Sequence, residues 1–287
     1  MLISGCTVIR NARIMGYPVV PAIKSLLPIV DEYVVAVGQS DDDTRALVES
    51  IGDPKIRIVD TIWDKTKQKG GYILAEKTNE ALTHCRGEWC FYLQADEVVH
   101  EQDHAAIRKS CETLRDDARV EGLLCKYVHF YGSYSVVATA RNWYRQEVRI
   151  VRRSANPRSV GDAQSFMIGE RKVRVKWSGG TVYHYGHVKP PEQMGQKHEQ
   201  MSRWYRGNAK DGAFKDFKYK QIYGLKPFRG THPGVMRDLV ATQDWEFEAR
   251  FDPGAWDRKT IRLIASDLVE ALTGYRLGER KKFTLLK

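Results

Sequence analysis

Along its first hundred residues the chain alternates short apolar runs with longer segments whose apolar positions recur at helical spacing. The short runs are typical of strands and cover residues 4–9, 32–37, 55–61 and 88–93. The segments between them carry helix-start or helix-stop signals and cover residues 18–27, 40–51 and 72–85. Strands that alternate with helices predict an α/β fold with a parallel sheet that helices cover on both faces.

The pattern becomes mixed after residue 93. Helices are predicted over residues 101–117, 190–204 and 257–272, and strands over residues 122–131, 147–152, 172–176 and 181–185. Residues 206–229 are rich in Gly, Lys and aromatic side chains and have little periodicity. We interpret this tract, which includes Phe214, as an irregular extension whose aromatic side chains pack on the main domain.

The chain carries a basic excess that is concentrated towards its C-terminal end. The formal net charge is +10, and residues 189–287 hold 20 Lys and Arg against 13 Asp and Glu. A basic surface attracts phosphates of every kind. Charge alone therefore does not choose between nucleic acid, anionic lipid and a diphosphate substrate.

The N-terminus and the cysteines both indicate a cytoplasmic protein. Arg10 interrupts the first apolar stretch too early for a secretory signal, and no segment approaches the roughly 20 apolar residues that span a bilayer. The five cysteines lack a Cys-x-x-Cys pair and are expected to be reduced core residues. Any membrane contact is then expected to be peripheral, at the inner face of the membrane.

Polar residues follow three of the predicted strands at the point where each strand ends. They are Arg10 and Asn11, residues 38–42 and residues 94–97. The carboxyl ends of parallel strands share one rim of the sheet, where ligands bind. The acidic run after the fourth strand suits a hard cation that bridges the protein and a diphosphate. The alternative is that Asp96 and Glu97 only cap the helix predicted from residue 101.

Residues 79–97 resemble a signature of the family 2 glycosyltransferases: Arg-Asn-x-Gly/Ala, a spacer, Gly-Glu/Asp-aromatic, an apolar strand and Leu-Asp-Ala-Asp-Glu. Residues 7–12 resemble the family's first strand and donor-base loop, and residues 37–44 resemble the turn after its second strand. Within the family, the chain is most similar to bacterial lipopolysaccharide-core and polysaccharide glycosyltransferases. The resemblance implies a GT-A catalytic domain over residues 1–190, with a mixed, mostly parallel sheet flanked by helices. It also implies a basic, aromatic-rich extension over residues 191–287.

The same resemblance implies a nucleotide-sugar donor, a divalent cation (Mn²⁺ or Mg²⁺) and a glycan, lipid-linked or other hydroxyl acceptor. The donor-binding residues that it implies are Arg10, Asn11, Gln39, Asp41, Lys77, Gln94 and Asp96. The metal ligands that it implies are Asp96 and His184.

Three positions depart from the family pattern. Gln94 replaces the first Asp of the family's Asp-x-Asp, Thr78 replaces an Arg, and Gly38-Gln39 lacks the Asp that usually precedes the Ser of the second-strand turn. The Gln94 amide can hydrogen-bond a ribose or base but brings no charge to a metal. Lys77 could compensate for the missing guanidinium, although an ammonium does not reproduce a bidentate fork.

The family 2 resemblance also implies an inverting transferase, which needs a general base to accept the proton of the acceptor hydroxyl. We predict that Asp162, in a polar loop after Gly161, is this base, with Glu97 and Glu147 as alternatives. The competing interpretation is an ordinary solvated loop aspartate.

Two further groups on strands have a structural and a functional interpretation. His184 ends an apolar strand and is predicted as a metal ligand or a diphosphate donor, against a purely structural histidine; His187 is the weaker candidate. The pair Arg152 and Arg153 could hold phosphate, but the alternation of Arg149 and Arg152 is typical of a solvated strand face.

Two other functions stay open from the sequence. The net charge and the aromatic, basic tract suit a phosphate- or nucleic-acid-binding module, but the acidic strand end would repel a polyanion, so nucleic acid is not expected as a partner. Gln94 and Thr78 suit a degenerate transferase that binds a nucleotide sugar without turnover. The spacing of motifs does not specify the sugar, the base or the acceptor.

Overall fold

Strands and helices alternate over the first half of the chain, as the apolar pattern predicts. The computed structural model describes residues 1–64, 70–206, 215–250, 258–279 and 281–287. Phe214 in the aromatic tract and Asp257, where the last predicted helix would begin, lie outside the described residues. The strands are β1 (Ile3–Ile9), β2 (Glu32–Gly38), β3 (Ile56–Thr61), β4 (Trp89–Tyr92), β5 (Glu97–Val99), β6 (Gly122–Tyr131), β7 (Ser133–Ala138), β8 (Gln146–Arg152), β9 (Arg158–Val160), β10 (Ser165–Ile168), β11 (Arg171–His187), β12 (Leu225–Pro227) and β13 (Phe283–Leu285).

The helices flank this sheet. They are α1 (Val19–Leu26), α2 (Thr44–Glu49), α3 (Tyr72–His84), α4 (His104–Thr113), α5 (Pro191–Arg206), α6 (Arg237–Ala241) and α7 (Arg258–Thr273). In α1, Pro18 precedes the first turn, and Val19, Ala22, Ile23 and Leu26 are buried. Their spacing places all four side chains on one face of the helix, and that face packs against the sheet.

The central part of the sheet has the order β3-β2-β1-β4-β8-β6-β11. Among these described strands, six run in the same direction, and β8 runs antiparallel to both of its neighbours. Both α-helices and a mixed, mostly parallel sheet are therefore present, and the predicted fold class is confirmed.

Buried apolar side chains lie on both faces of the sheet. In β4, Trp89 and Phe91 join one buried cluster, whereas Cys90 and Tyr92 join a second. Successive side chains of a strand point to opposite faces, so a strand covered on both sides is apolar throughout. All five cysteines are free and buried, as expected.

Some boundaries differ from the sequence prediction. The two strands predicted over residues 172–176 and 181–185 are one long strand, β11, whose pairing with β6 is irregular between Trp177 and Thr181. Gly179 lies in that break at φ +78°, a conformation that favours glycine. The helix predicted over residues 101–117 is shorter, because α4 ends at Thr113.

Short strands were the elements that the apolar pattern missed. They are β5, β7, β9, β10, β12 and β13, most of them three or four residues long. The most consequential is β5, because Glu97 begins this strand and pairs with His184 of β11. Glu97 therefore does not cap a helix, and the helix-cap alternative for this residue is wrong.

The described part of residues 191–287 contacts the sheet. Strand β12 pairs with β7, and β13 runs parallel to β11. Arg145 beside β8 forms an ion pair with Glu270 of α7. A domain boundary at residue 190 stays a prediction. None of the helices in the described ranges is long and apolar enough to cross a membrane.

Candidate functional site

A cleft of about 550 Å³ opens at the carboxyl ends of β1 and β4. Its polar lining residues come from separate parts of the chain and are Arg10, Gln94, Asp96, His129, Asn142, Asp162, Gln164, His184, His187, Lys197 and His198. Tyr17, Trp63, Tyr92, Trp143, Tyr144 and Tyr205 supply aromatic walls. This is the rim at which ligands bind in open α/β sheets.

The loops after β1 and β2 are tied together at one end of the cleft. Nε of Arg10 donates to the carbonyl oxygen of Gln39 at 2.6 Å, and Nη2 lies 3.2 Å from Oδ2 of Asp41. Asn11, at φ +54°, donates from Nδ2 to the same oxygen at 3.0 Å and accepts from the Asp41 amide. Of these four predicted donor-binding residues, Arg10 lines the cleft, and the other three hold its loop in place.

Asp96 is buried at the inner end of the cleft. Nζ of Lys197, on α5, donates to its Oδ2 at 3.0 Å, and Nε2 of His184 lies 3.8 Å from Oδ1. Burial alone would raise the pKa of Asp96, but nearby positive charge, above all that of Lys197, outweighs it and holds that pKa well below its usual range. Asp96 is therefore ionised and paired with an ammonium group.

Contacts with a backbone carbonyl and an aromatic ring hold Lys197 in place. Nζ of Lys197 also donates to the carbonyl oxygen of Gly186 at 2.8 Å and lies 5.0 Å from the ring centre of Tyr17. Lys189, also buried, donates to the carbonyl oxygen of Gly16 at 2.6 Å and lies 5.1 Å from the same ring. Two lysines and one carboxylate thus meet at the inner end of the cleft.

Hydrogen bonds determine the tautomers of the neighbouring histidines. Nε2 of His129 lies 2.6 Å from the carbonyl oxygen of Tyr144, which only accepts, so this nitrogen carries the proton. Burial lowers the pKa of His129 to about 3, so the ring is neutral and its Nδ1 accepts from Nδ1 of His184 at 3.0 Å. Burial lowers the pKa of His184 to about 4 although Asp96 opposes the shift. His184 is therefore neutral, and its Nε2 lone pair faces Asp96.

Asp162 lines the same cleft on a backbone loop of unusual conformation. Gly161 and Ala163 on either side have φ +63° and +62°, and Ala163 is fully buried. A left-handed alanine costs about 1 kcal/mol, so the surrounding structure must hold this loop. Oδ2 of Asp162 accepts from the Tyr205 hydroxyl at 3.2 Å, which fixes the carboxylate against α5.

Gln94 lines the cleft, whereas Lys77 lies outside it. Nε2 of Gln94 donates to the carbonyl oxygen of Ala163 at 3.4 Å, so this side chain joins the β4 end to the Asp162 loop. Lys77 is buried in α3, where its Nζ contacts Glu80 at 2.9 Å and Glu76 at 3.4 Å. Lys77 does not line the cleft, and its predicted contact with the donor stays a prediction.

Arg149 and Glu97 form a buried ion pair beside the cleft. The guanidinium donates through Nε and Nη2 to the two carboxylate oxygens at 2.9 and 2.8 Å, and both side chains are 0% exposed. The Tyr127 hydroxyl donates to Glu97 as well, at 2.7 Å. Glu97 is thus committed to a structural network and does not fit the role of an alternative base.

The interpretation of Arg149 and Arg152 as a solvated strand face is wrong. Arg149 neutralises Glu97 inside the protein, and Arg152 donates to the carbonyl oxygens of Leu114, Arg115 and Val120 at 2.6, 2.6 and 2.8 Å. Strand alternation predicts on which face a side chain lies, but not whether another element covers it.

Glu147 gives a pH-dependent contribution to stability. Burial raises its pKa to about 7, although Arg149 and Lys282 oppose the shift. The unfolded chain releases this proton near the ordinary glutamate pKa, so stability falls as pH rises from about 4.5 to 7. Glu147→Gln is expected to match the wild type near pH 4.5 and to exceed its unfolding free energy by about 3 kcal/mol at pH 8.

Urea unfolding at the two pH values measures this difference, with the exposed Glu170→Gln as the matched control. The control is expected to change little at either pH. A Glu147→Gln variant without a pH-dependent gain would contradict the assignment of a proton to Glu147 at neutral pH.

The residues around Asp96 do not fit a divalent cation held by the protein alone. Within the described ranges, no three His, Cys, Asp or Glu side chains form a group that could hold a metal. Asp96 and His184 do meet, but the Lys197 ammonium lies on the same carboxylate. Gln94 adds no charge. The predicted Mn²⁺ or Mg²⁺ stays a prediction and would need substrate oxygens to complete its coordination.

Helix α5 supplies five cleft residues that the sequence analysis missed. Met194, Lys197, His198, Met201 and Tyr205 all line the cleft and follow an i, i+3, i+4, i+7, i+11 spacing. That spacing places them on one helical face, which was visible in the sequence. The position of this face above Asp96 was not visible in the sequence. Lys197 and Asp96 are 101 residues apart, and no local pattern indicates that they are in contact.

A second, larger cavity of about 1680 Å³ adjoins the cleft. The two share five lining residues, which are Asn142, Trp143, His187, Met194 and His198. Aromatic and basic side chains dominate the rest of its lining, including Tyr131, Phe217, Tyr219, Tyr223, Lys215, Lys218 and Lys220. The described part of the aromatic tract therefore faces a cavity continuous with the candidate site.

Comparison with known proteins does not assign the chain to a family. No protein-family model matches the sequence. No curated protein matches it either.

Solved structures give distant likenesses. The chain is similar to S. aureus TarS at 13% identity and a TM-score of 0.40, over 70% of this chain and 39% of that one. It is similar to glucosyl-3-phosphoglycerate synthase from Mycobacterium tuberculosis, in complex with Mn²⁺, uridine diphosphate and phosphoglyceric acid, at 18% identity and a TM-score of 0.30, over 45% and 43%. It is also similar to mannosyl-3-phosphoglycerate synthase from Rubrobacter xylanophilus, at 17% identity and a TM-score of 0.31, over 46% of this chain and 41% of that one. The chain spans less than half the length of each of these three structures.

Proposed function

We propose that this chain transfers a sugar from a nucleoside-diphosphate sugar to the hydroxyl group of an acceptor, with inversion at the anomeric carbon. The observation that carries the proposal is one cleft lined by Arg10, Asp96 and Asp162, which come from three separate loops. Arg10 and Asp96 follow parallel strands at the carboxyl ends where ligands bind in open α/β sheets, and Asp162 reaches the same opening from the loop between β9 and β10. A purely structural role for the three loops would not need a shared opening to solvent.

The donor would lie along the cleft with its base and ribose near Arg10. The bonds among Arg10, Gln39 and Asp41 hold that end rigid, and Gln94 offers amide groups to the ribose or the base. The diphosphate would lie at the inner end, beside Asp96 and His184. Because a diphosphate and a carboxylate repel each other, a cation must lie between them: Mn²⁺, Mg²⁺ or a protein ammonium.

Asp162 is the proposed general base. As the acceptor oxygen bonds to the anomeric carbon, the bond from that carbon to the diphosphate oxygen breaks, and the acceptor proton passes to the Asp162 carboxylate. The nucleoside diphosphate leaves with both electrons of the broken bond. The Tyr205 hydroxyl holds the carboxylate on the cleft side of its loop.

The acceptor would enter through the second cavity, which reaches the cleft at Trp143 and His187. Aromatic rings suit stacking on sugars, and the lysines suit an anionic acceptor. The resemblance to lipopolysaccharide-core and polysaccharide transferases makes a glycan or lipid-linked hydroxyl the first acceptor class to test. A lipid-linked acceptor would bring the chain to a membrane surface.

Release of nucleoside diphosphate from UDP-, GDP- and dTDP-sugars tests this function, with Mn²⁺ present and with the metal chelated. We expect one donor class to give slow release without an acceptor and faster release with one. Tight binding without release under all conditions would favour the degenerate, non-catalytic alternative. Absence of both binding and release for every donor would overturn the proposal.

A further inference from the structure

We propose that Lys197 is the cation that binds the diphosphate of the donor and neutralises the departing nucleoside diphosphate. This inference rests on the proposed function and concerns the inner end of the same cleft. It assigns to a side chain on α5 the electrostatic task that a divalent cation would otherwise perform. Nucleotide binding and sugar transfer are then independent of divalent metal.

The first support is the position of the ammonium group. Nζ of Lys197 lies 3.0 Å from Oδ2 of Asp96, on the carboxylate to which a metal would bind. It uses one further N–H for the carbonyl oxygen of Gly186, at 2.8 Å. An ammonium has three N–H groups, so one remains for a ligand, and Lys197 lines the cleft.

The second support is the charge of the residues around Asp96. A metal site at this strand end would have two carboxylates, but Gln94 stands in place of one of them. The remaining carboxylate, Asp96, is already paired with Lys197, and Lys189 lies nearby with its Nζ on the same Tyr17 ring. A divalent cation added here would meet an ammonium across a shared carboxylate, and the two would repel each other.

The third support is how firmly the lysine is held. Asp96 and Gly186 fix its head group, and the Tyr17 ring lies 5.0 Å from it. A preorganised cation in a site with little water stabilises developing charge without having to reorient during the reaction. Asp96 is thus a positioning residue for Lys197.

The test measures binding of UDP, GDP and dTDP by calorimetry, with EDTA and with Mn²⁺. For the nucleotide that binds, we expect the wild-type affinity to differ by less than about threefold between the two conditions. Lys197→Met keeps the length of the side chain and removes its charge. Without metal it is expected to weaken binding by about 10- to 100-fold, the usual effect of losing a charge-assisted hydrogen bond.

A matched control is Arg203→Met, which removes a positive charge from the same helix at a residue outside the cleft lining. Its affinity is expected to stay near that of the wild type. We also expect Mn²⁺ to restore part of the binding of Lys197→Met, because Asp96 and His184 are then free to bind it. Thermal unfolding identifies a variant that fails to fold, and the wild-type comparison with EDTA needs no variant.

The outcomes separate this inference from the proposed function. Wild-type binding that disappears with EDTA overturns the role of Lys197 but leaves the transferase proposal intact. Lys197→Met binding that equals the wild type without metal also overturns it. If no nucleoside diphosphate binds under either condition, the proposed function itself is contradicted.

Discussion

Replacement of Asp162 by asparagine is expected to lower the turnover number by about 10²- to 10⁴-fold, with little change in donor affinity. Asparagine keeps the shape of the side chain and its bond from Tyr205, but it cannot accept a proton at neutral pH. The loss therefore falls on the chemical step and not on binding. Steady-state kinetics with the active donor, together with calorimetric donor binding, measures both quantities.

Two further variants sharpen the test of Asp162. Tyr205→Phe removes the hydroxyl that donates to Oδ2 and is expected to cost about tenfold in turnover, because it affects only the orientation of the base. Glu170→Gln removes an exposed carboxylate from the turn before β11 and is expected to leave turnover unchanged. If Asp162→Asn stays within a few-fold of the wild type, another residue is the base.

Arg149→Met is expected to destabilise the protein by about 3–5 kcal/mol, the largest stability effect that we predict. The substitution leaves the Glu97 carboxylate buried, where, among the described residues, only the Tyr127 hydroxyl and one backbone amide still donate to it. A buried charge without its partner carries most of the desolvation cost that the pair had offset. Urea unfolding followed by circular dichroism measures the change in unfolding free energy.

Arg171→Met is the matched control for this substitution. Arg171 also contacts a glutamate through two nitrogens, at 2.7 and 2.6 Å from the oxygens of Glu121, but its side chain is 52% exposed. The Glu121 side chain is 5% exposed, but it keeps Arg174 as a partner, so Arg171→Met leaves no unpaired buried charge and is expected to destabilise the protein much less than Arg149→Met. Equal destabilisation by the two substitutions would contradict the buried-charge explanation.

The sequence predicted the parts of the fold that have strong local periodicity. Strands β1 to β4 and helix α3 appear within two residues of their expected bounds, because each has enough apolar positions to define its period. Strand β5 has three residues and a leading glutamate, so nothing local distinguishes it from a helix cap. Its identity depends on β11, which lies more than 70 residues further along the chain.

The sequence predicted those residues of the candidate site whose positions follow from the sheet topology. The rule for parallel strands brought Arg10, Gln94 and Asp96 to one rim, and the structure places all three at the cleft. Lys197 was not predictable, because its partner Asp96 is 101 residues away. The same limit applies to Arg149, whose burial depends on Glu97 from another strand.

The most direct measurement of the central claim is a crystal structure of the protein with the nucleoside diphosphate that binds most tightly. The account predicts the base and ribose beside Arg10 and Gln94, the diphosphate within hydrogen-bond distance of Nζ of Lys197, and Asp162 facing the open side of the terminal phosphate. A nucleotide bound anywhere outside the cleft that Arg10, Asp96 and Asp162 line would contradict it.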